Sequence, residues 1–192
     1  GAGHNLSYLT SDFEAVAVDR SSAMLGLCAR VNPGVELHTA DMRSVRLGRK
    51  FDAVLIHAAI CHLIDEQDIE YTFQTAAEHL DPGGVFVISP EYFRETFVSP
   101  QVECAKHADE GTELTYFEYV WDPDPADTRI EAVMTLLIRR GDSLRIEHDR
   151  YSLGLFPRQT WLRLMGESGF KVEEIDCFLE SMKYIFYVGT KA

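Results

Sequence analysis

The sequence has little positive charge and no long hydrophobic run. Its 192 residues include 18 lysines and arginines against 31 aspartates and glutamates, a formal net charge of −13. No stretch reaches the roughly 20 apolar residues that an α-helix needs to cross a bilayer. Because an acidic chain is repelled by phosphate backbones and anionic membrane surfaces, we expect neither a nucleic acid nor a membrane as its main partner.

Paired cysteines are also lacking. The four cysteines are far apart and include no C-x-x-C pair: Cys28, Cys61, Cys104 and Cys177. This spacing predicts reduced thiols in a cytoplasmic protein, since a disulfide framework or a zinc knuckle needs closer cysteines, and we see no secretory signal pattern. His57 and His62 fit no zinc-binding spacing, so we expect no metal site.

Short, continuously apolar runs alternate with segments of helical spacing up to Ser89. The predicted elements are, in order, strand 14–19, helix 21–30, strand 35–39, strand 51–58, helix 65–80 and strand 85–89. Continuous apolar runs indicate strands buried on both faces, as in a parallel sheet between helices. The pattern therefore predicts a doubly wound, Rossmann-like α/β fold with a mostly parallel sheet.

The pattern changes after Ser89. Residues 112–121, 128–140 and 143–153 alternate apolar and polar side chains and are separated by turn residues, which predicts an inserted antiparallel meander of three strands. Residues 157–169 then predict a helix, and the apolar segments after it predict an antiparallel hairpin at the sheet edge.

We interpret the chain as one domain, residues 1–192, with three parts. Residues 1–90 form a cofactor-binding half, and about 91–155 form an inserted lid, substrate or interface region. Residues 156–192 supply the C-terminal helix and the edge hairpin.

A ligand site is expected at the carboxyl ends of the parallel strands, where open α/β sheets bind ligands. Gly1-Ala2-Gly3 leads into a predicted helix start, whose N–H groups favour an anionic group. Asp19 ends the next strand, where a carboxylate can accept both hydroxyls of a ribose. An alternative interpretation makes Asp19 the N-cap of the following helix.

The residues around this turn separate the possible nucleotides. NAD, FAD and S-adenosylmethionine all use such a turn, but Leu6 stands where a dinucleotide turn needs its third glycine. Asp41 and Met42 follow the next strand and offer a carboxylate and a flat apolar contact to an adenine, although Asp41 could also be an ordinary loop acid. The glycine turn together with the acids after two successive strands favours a nucleoside with a short amino-acid tail. An NAD-dependent oxidoreductase stays as the weaker alternative.

Five stretches, in this order, resemble the successive motifs of class I S-adenosylmethionine-dependent methyltransferases: GAGHN, VAVDRSSAML, HTADMRSV, FDAVLIHAAICHL and LDPGGVFVIS. A narrower likeness, to the amino-sugar N,N-dimethyltransferases of antibiotic biosynthesis, is carried by DMRSVRLGRKFDAV, AEHLDPGGVFVISPEYFRETF and the strand-rich insertion. The resemblance implies methyl transfer from S-adenosylmethionine to a small molecule, with an amine such as an amino sugar as the leading acceptor. S-adenosylhomocysteine would be the product.

The same resemblance implies ten cofactor-binding residues: Gly1, Gly3, Asp19, Arg20, Met24, Asp41, Met42, His57, Ala58 and Ala59. The two glycines would lie beneath the methionine moiety, and the last three residues of the set would line the sulfonium end. Asp19 would hold the ribose, with Arg20 and Met24 beside the adenosine. Asp41 and Met42 would contact the adenine.

The acceptor side has fewer signals. His62 is a candidate general base, although it could equally pack beneath the inserted region. Glu91, Tyr92 and Arg94 follow the strand after which this family's substrates often enter. Tyr119 belongs to an aromatic strand that could form a substrate wall, part of the core or the interface of a homodimer.

One departure from the family concerns the strand before the glycine turn. The family's turn reads D/E-x-G-x-G-x-G, so Gly1 and Gly3 match only its last two glycines, and the first strand is absent from this chain. We expect strands 14–19 and 51–57 to face each other without a ladder, and a preceding segment in the native protein to fill the gap. A methyltransferase-like binding or regulatory domain without catalysis is the alternative that this incomplete turn favours.

Overall fold

The computed structural model describes residues 1–179 and 182–192. The helices are α1 (His4–Ser7), α2 (Ser22–Val31), α3 (Glu66–Glu78) and α4 (Arg158–Glu167), with a 3₁₀ helix at Ala58–His62. The strands are β1 (Val16–Asp19), β2 (Glu36–Thr39), β3 (Phe51–Ile56), β4 (Leu80–Ile88), β5 (Gln101–Asp109), β6 (Thr112–Trp121), β7 (Arg129–Arg140), β8 (Ser143–Gly154), β9 (Phe170–Leu179) and β10 (Met182–Lys191).

Parallel strands and helices alternate in the first half of the chain, as the apolar runs predict. β1 pairs with β2 and β3 pairs with β4, both in parallel, while β10 joins β4 and β9 in antiparallel ladders. The last three ladders form one four-stranded sheet in the order β3-β4-β10-β9, and the C-terminal hairpin of β9 and β10 supplies one of its edges. The predicted α/β fold with a C-terminal antiparallel hairpin is confirmed.

The two principal helices of this half begin at side-chain caps. The Ser21 hydroxyl accepts the N–H of Met24 at 3.2 Å at the start of α2. The Asp65 carboxylate accepts the N–H of Asp68 at 2.8 Å at the start of α3. Each cap satisfies an N–H that the first helical turn leaves without an intrahelical partner.

The parallel strands fall into two separate sheets. Within the described residues, the ladders join β1 to β2 and β3 to β4, and none joins β1 to β3. Leu55 on β3 is 47% exposed, unlike the apolar side chains of the more central β4. The expected break between these two strands is therefore present.

The inserted sheet has four strands, not the predicted three. β5 pairs with β6, β6 with β7 and β7 with β8, all antiparallel. β5 was not predicted, because most side chains of this edge strand are exposed on both faces and no apolar alternation marks it. Pairing with the longer β6, a tertiary interaction, makes it a strand.

One hydrophobic core connects the base of the inserted sheet to the α/β part. Phe73 of α3 packs edge-on against Phe86 of β4, with ring centroids 5.3 Å apart. Val120, Ile130 and Leu153 from the inserted sheet belong to the same buried cluster. This end of the insertion is therefore fixed over the carboxyl ends of β3 and β4. Among the described residues, no helix is long and apolar enough to cross a membrane.

Candidate functional site

The glycine turn is packed tightly against α2. Gly3 has φ 82°, and a Cβ added there would lie 2.5 Å from Asn32 Nδ2 and 2.6 Å from Cys28 Sγ. The buried Asn32 side chain also donates to the Gly3 carbonyl at 2.9 Å. Both the backbone conformation and the available space therefore require glycine. The helix that follows is only one turn, His4–Ser7, so it supplies much less of a dipole than the sequence analysis expected.

Asp19 lies at the end of β1 and contacts this turn. Its carboxylate accepts the N–H of Ser21 at 2.8 Å and lies against Gly1 of the turn. The interpretation of Asp19 as an N-cap is wrong, because Ser21 caps α2.

The next two predicted residues lie close to Asp19. Arg20 is largely exposed, and its Nε is 3.7 Å from Asp41 Oδ2. Met24 lies in the first turn of α2 and is partly exposed. The structure therefore brings the predicted ribose and adenosine residues to one edge of the β1–β2 sheet.

Asp41 follows β2 and is held by its neighbour Arg43. Arg43 donates from Nε to Asp41 Oδ1 at 3.0 Å and from a terminal nitrogen to Oδ2 at 2.7 Å. The hydrogen bonds from the Arg43 side chain are the main reason why the pKa of Asp41 is lowered to about 2. Met42 is partly buried against the hydrophobic core.

The carboxyl end of β3 faces the glycine turn from the other side. The imidazole Nδ1 of His57 is 3.4 Å from Asn5 Nδ2 in α1. Ala58 and Ala59 begin the 3₁₀ helix, the first half-buried and the second exposed. The ten predicted cofactor residues thus lie around the carboxyl ends of β1, β2 and β3.

His62 ends the 3₁₀ helix and lies beneath the inserted sheet. Its ring centroid is 6.0 Å from that of Tyr151 on β8, and its side chain is exposed. The Tyr151 hydroxyl donates to Glu118 Oε1 on β6. A continuous line of side chains therefore runs from the end of the 3₁₀ helix to a carboxylate on the inserted sheet.

Glu91 and Tyr92, which follow β4, lie within electrostatic range of Glu118 and Tyr151, and we call these four residues the acidic recess. The Glu91 N–H donates to the buried Cys61 Sγ at 3.2 Å, which holds the start of this loop beside the 3₁₀ helix. Surrounding protein raises the pKa of the Glu91 carboxyl, and the charges of Glu118 and Glu103 raise it further, although the residue keeps an open side to solvent.

The two tyrosines of the recess respond to the same surroundings. Burial raises the pKa of Tyr92, and the nearby charges of Glu118 and Glu91 add to the effect. The pKa of Tyr151 is raised by burial and by its hydrogen bond to Glu118. The recess therefore holds concentrated negative charge beside neutral phenols, an environment that favours a cation.

Two predicted substrate residues lie apart from this recess. The Arg94 guanidinium donates to the backbone carbonyl of Pro125 at 2.8 Å and also to that of Asp127, so it fastens the β6–β7 loop. Tyr119 lies on the opposite face of β6 from Glu118, beside Trp121 at a ring distance of 5.6 Å. Their roles in substrate binding stay predictions.

Three residues of the site were missed by the sequence analysis: Arg43, Glu118 and Tyr151. Glu118 had a usable signal, because strand alternation puts it on the same face as the apolar Val120, and an inward-facing carboxylate is unusual. Tyr151 could not be found in this way, because its partner lies on a different strand and 33 residues away.

The residues present fit a nucleoside that carries a short amino-acid chain. Gly3 lets the turn pack against α2 at the start of the site, and Asp19 presents a carboxylate for the ribose hydroxyls. Asp41 presents a second carboxylate at the end of the neighbouring strand β2. This donor set suits the adenosine and methionine parts of S-adenosylmethionine.

Comparison with known proteins agrees with this geometry. Residues 1–84 match a family described as a methyltransferase domain. The dTDP-3-amino-3,6-dideoxy-alpha-D-glucopyranose N,N-dimethyltransferase of Streptomyces fradiae is 31% identical over 175 residues, which cover 90% of this chain and 68% of that protein.

Solved structures extend the similarity over the whole chain. The crystal structure of Streptomyces venezuelae DesVI matches with a TM-score of 0.90 at 26% identity, covering 100% of this chain and 80% of that one. CalS10 bound to S-adenosylmethionine, an amino pentose methyltransferase from Micromonospora echinaspora, matches with a TM-score of 0.85 at 25% identity and the same coverage. The chain therefore belongs to the class I S-adenosylmethionine-dependent methyltransferases, enzymes that use S-adenosylmethionine as the methyl donor and release S-adenosylhomocysteine.

Proposed function

We propose that this protein methylates the amino group of a nucleotide-linked amino sugar. The observation that carries the proposal is the acidic recess, which lies beside the carboxyl end of β3 where the reactive end of the cofactor is expected. An amine that is protonated at neutral pH fits carboxylates and tyrosines better than a neutral hydroxyl does. The Streptomyces fradiae and Micromonospora echinaspora relatives are methyltransferases of amino sugars, which supports the same class of acceptor.

The protein's part in the reaction is to hold the amine and remove its proton. When bound, S-adenosylmethionine supplies a methyl group on a sulfonium centre, whose S–C bond breaks as the amine nitrogen forms an N–C bond. Glu118, oriented by Tyr151, would hold the ammonium group, and Glu91 would add a second carboxylate. His62, as an exposed imidazole base, would accept the proton and pass it to solvent, which leaves the nitrogen lone pair free to react.

A homocysteine-release assay tests the acceptor class. The full chain is supplied with S-adenosylmethionine and either a dTDP-linked 3-amino sugar or the corresponding 3-hydroxy sugar. We expect turnover with the amine alone, and a mono- and then a dimethylated product by mass spectrometry. Equal turnover of the hydroxyl compound, or no turnover with any amine, contradicts the proposal.

The Glu118→Gln variant tests the recess. We expect KM for the amine to rise roughly tenfold or more, because a hydrogen bond to a charged group contributes about 1.5–3 kcal/mol. Glu113→Gln is the matched control, since Glu113 lies on the same strand but pairs with Arg139 far from the recess. If both variants change KM equally, or if neither does, the recess does not bind the amine.

We also propose a division of labour within one domain. Residues 1–90 would bind the cofactor and about 91–155 would cover the acceptor, while 156–192 would complete the sheet. The free cysteines, of which Cys28 and Cys61 are buried, support the proposal of a reducing, cytoplasmic location.

A homodimer is proposed through the outer face of the inserted sheet. Val102, Phe117 and Tyr119 lie on this face and are 58%, 40% and 38% exposed, an apolar patch that a second copy would bury. Analytical ultracentrifugation of the wild type and Phe117→Lys tests it, with a dimer expected for the first and a monomer for the second. A monomeric wild type contradicts it.

A further inference from the structure

We infer that Arg43 is a positioning residue, which fixes the carboxylate of Asp41 so that it can accept the 6-amino group of the cofactor's adenine. The inference rests on the assignment of Asp41 to the adenine. Arg43 itself was given no role by the sequence motifs. Its guanidinium makes hydrogen bonds at both ends, to Asp41 and to Asp68.

The first end of the guanidinium holds both oxygens of Asp41. Arg43 donates to Oδ1 from Nε at 3.0 Å and from its backbone N–H at 2.9 Å, and to Oδ2 from a terminal nitrogen at 2.7 Å. Each carboxylate oxygen has two lone-pair sites, so Oδ2 keeps one acceptor site while the plane of the group is fixed. Arg20 approaches that oxygen only at 3.7 Å and is mostly exposed, so it does not take this site as a close hydrogen-bond donor.

The second end of the guanidinium is anchored on α3. Its other terminal nitrogen donates to Asp68 Oδ2 at 2.6 Å, and Asp68 lies in the first turn of that helix. The Arg43 carbonyl accepts the hydroxyl of Thr75, also on α3, at 2.8 Å. A lysine could not reproduce this, because a single ammonium lacks the planar fork that serves two carboxylates at once.

The contacts of Arg43 join two parts of the chain that belong to different sheets. Asp41 follows β2, whereas α3 follows β3, and no ladder joins the two sheets within the described residues. The Arg43 contacts therefore span the break between the sheets. They connect the segment that carries Asp41 to the helix that follows the sulfonium side of the site at 57–59.

The test measures discrimination between two ligands by calorimetry on the full chain. S-adenosylhomocysteine carries the 6-amino group, and S-inosylhomocysteine carries an oxygen in its place. We expect the wild type to bind the first at least about tenfold more tightly, because the second leaves the carboxylate without its donor. In Arg43→Gln and Arg43→Lys we expect the ratio of the two affinities, S-adenosylhomocysteine to S-inosylhomocysteine, to fall toward one. The affinity for S-adenosylhomocysteine should be reduced about tenfold or more.

Controls separate positioning from folding. Arg49→Lys alters an exposed ion pair with Glu36 and should leave both affinities unchanged. Asp68→Asn keeps the Arg43–Asp41 pair but weakens the contact that anchors Arg43 on α3. The ratio of the two affinities in this variant should therefore lie between those of the wild type and Arg43→Gln. Binding of S-inosylhomocysteine by the Arg43 variants shows that they are folded.

Each contrary result has a distinct meaning. A ratio that stays at the wild-type value in both Arg43 variants overturns the inference, as does a loss of both ligands in equal proportion. A wild type that binds S-adenosylhomocysteine without discrimination overturns the assignment of Asp41, and the inference with it. Only a wild type that binds neither ligand also contradicts the cofactor site as a whole.

Discussion

At the scale of single residues, the site depends on contacts that tolerate little change. Gly3 touches Asn32 and Cys28 so closely that its missing side chain is what allows the turn to reach α2. Asp41 depends in the same way on one neighbour, Arg43. Both positions give predictions that stability measurements can check.

Gly3→Ala should destabilise the protein by about 1–3 kcal/mol, because the new methyl group overlaps buried atoms and the positive φ disfavours it. Affinity for S-adenosylhomocysteine should fall as well, since the turn must move. Urea denaturation and calorimetry measure the two effects. Gly26→Ala is the control: Gly26 lies inside α2 with open space around it, so alanine should stabilise by up to about 1 kcal/mol. Similar effects from both substitutions would refute the close packing of the turn.

Asp41 should make the stability depend on acid pH. Its pKa falls from 3.8 to about 2 on folding, so its contribution is fully present above pH 3.8 and is lost as the pH falls through about 2. Asp41→Asn should therefore be less stable than the wild type by about 1 kcal/mol at pH 7, allowing for solvent screening, and the difference should shrink below pH 4. Urea titrations from pH 7 to pH 3 test this. A difference that stays constant over that range would exclude the Arg43 interaction as its source.

At the scale of elements, the position of the 3₁₀ helix depends on the last residues of β8. A Cβ added to Gly154 would lie 2.1 Å from the Leu63 carbonyl oxygen, which follows the 3₁₀ helix. The Thr128 hydroxyl also donates to the Ile64 carbonyl at 2.9 Å, a second link between the inserted region and this segment. The inserted region is therefore attached to the segment that follows the 3₁₀ helix.

Gly154→Ala should move β8 and the 3₁₀ helix apart and thereby separate Tyr151 from His62. We expect a loss of stability of about 1–3 kcal/mol and a lower kcat for methyl transfer, with a smaller change in affinity for S-adenosylhomocysteine. Gly166→Ala, in α4 with open space around it, is the matched control and should change neither activity nor binding. An unaltered kcat in Gly154→Ala would show that this contact does not set the acceptor site.

At the scale of the whole molecule, β10 and the short ladder of β1 and β2 should differ in local stability. β10 is bonded to a strand on each side, whereas β1 and β2 form a sheet of two short strands. A strand that is hydrogen-bonded on both sides and packed on the core opens less often than one in a two-stranded sheet.

Hydrogen exchange followed by mass spectrometry should detect this difference. Peptides from β1 and β2 should exchange faster than peptides from β4 and β10. Saturating S-adenosylhomocysteine should slow exchange in β1 and β2 most, because Asp19 and Asp41 lie at their ends. Uniform exchange across all four strands, with or without ligand, would contradict this difference in local stability.

Most of the fold could be predicted from the sequence because the sequence signals for helices and strands are local. Continuous apolar runs and helical spacing located the helices and strands of the α/β part within a few residues. The edge strand β5 was missed because an exposed edge carries no apolar period, and pairing with β6 decides its structure. The predicted site residues that follow β1 and β2, such as Arg20 and Asp41, were brought together because these parallel strands end at the same edge.

What the sequence by itself determined is the class of the molecule: the acidic charge, the order of parallel strands and helices, and the residues at the strand ends that suit an adenosyl cofactor. Only the tertiary structure decided which side chains meet. Glu118 and Tyr151 are 33 residues apart, and Arg43 and Asp68 are 25 apart, yet each pair is joined by a hydrogen bond. Such partners follow from the register of the inserted sheet and the packing of α3, which no local pattern encodes. The physical reason is that charges choose partners by distance in space, while sequence periodicity reports only which face of an element a residue occupies.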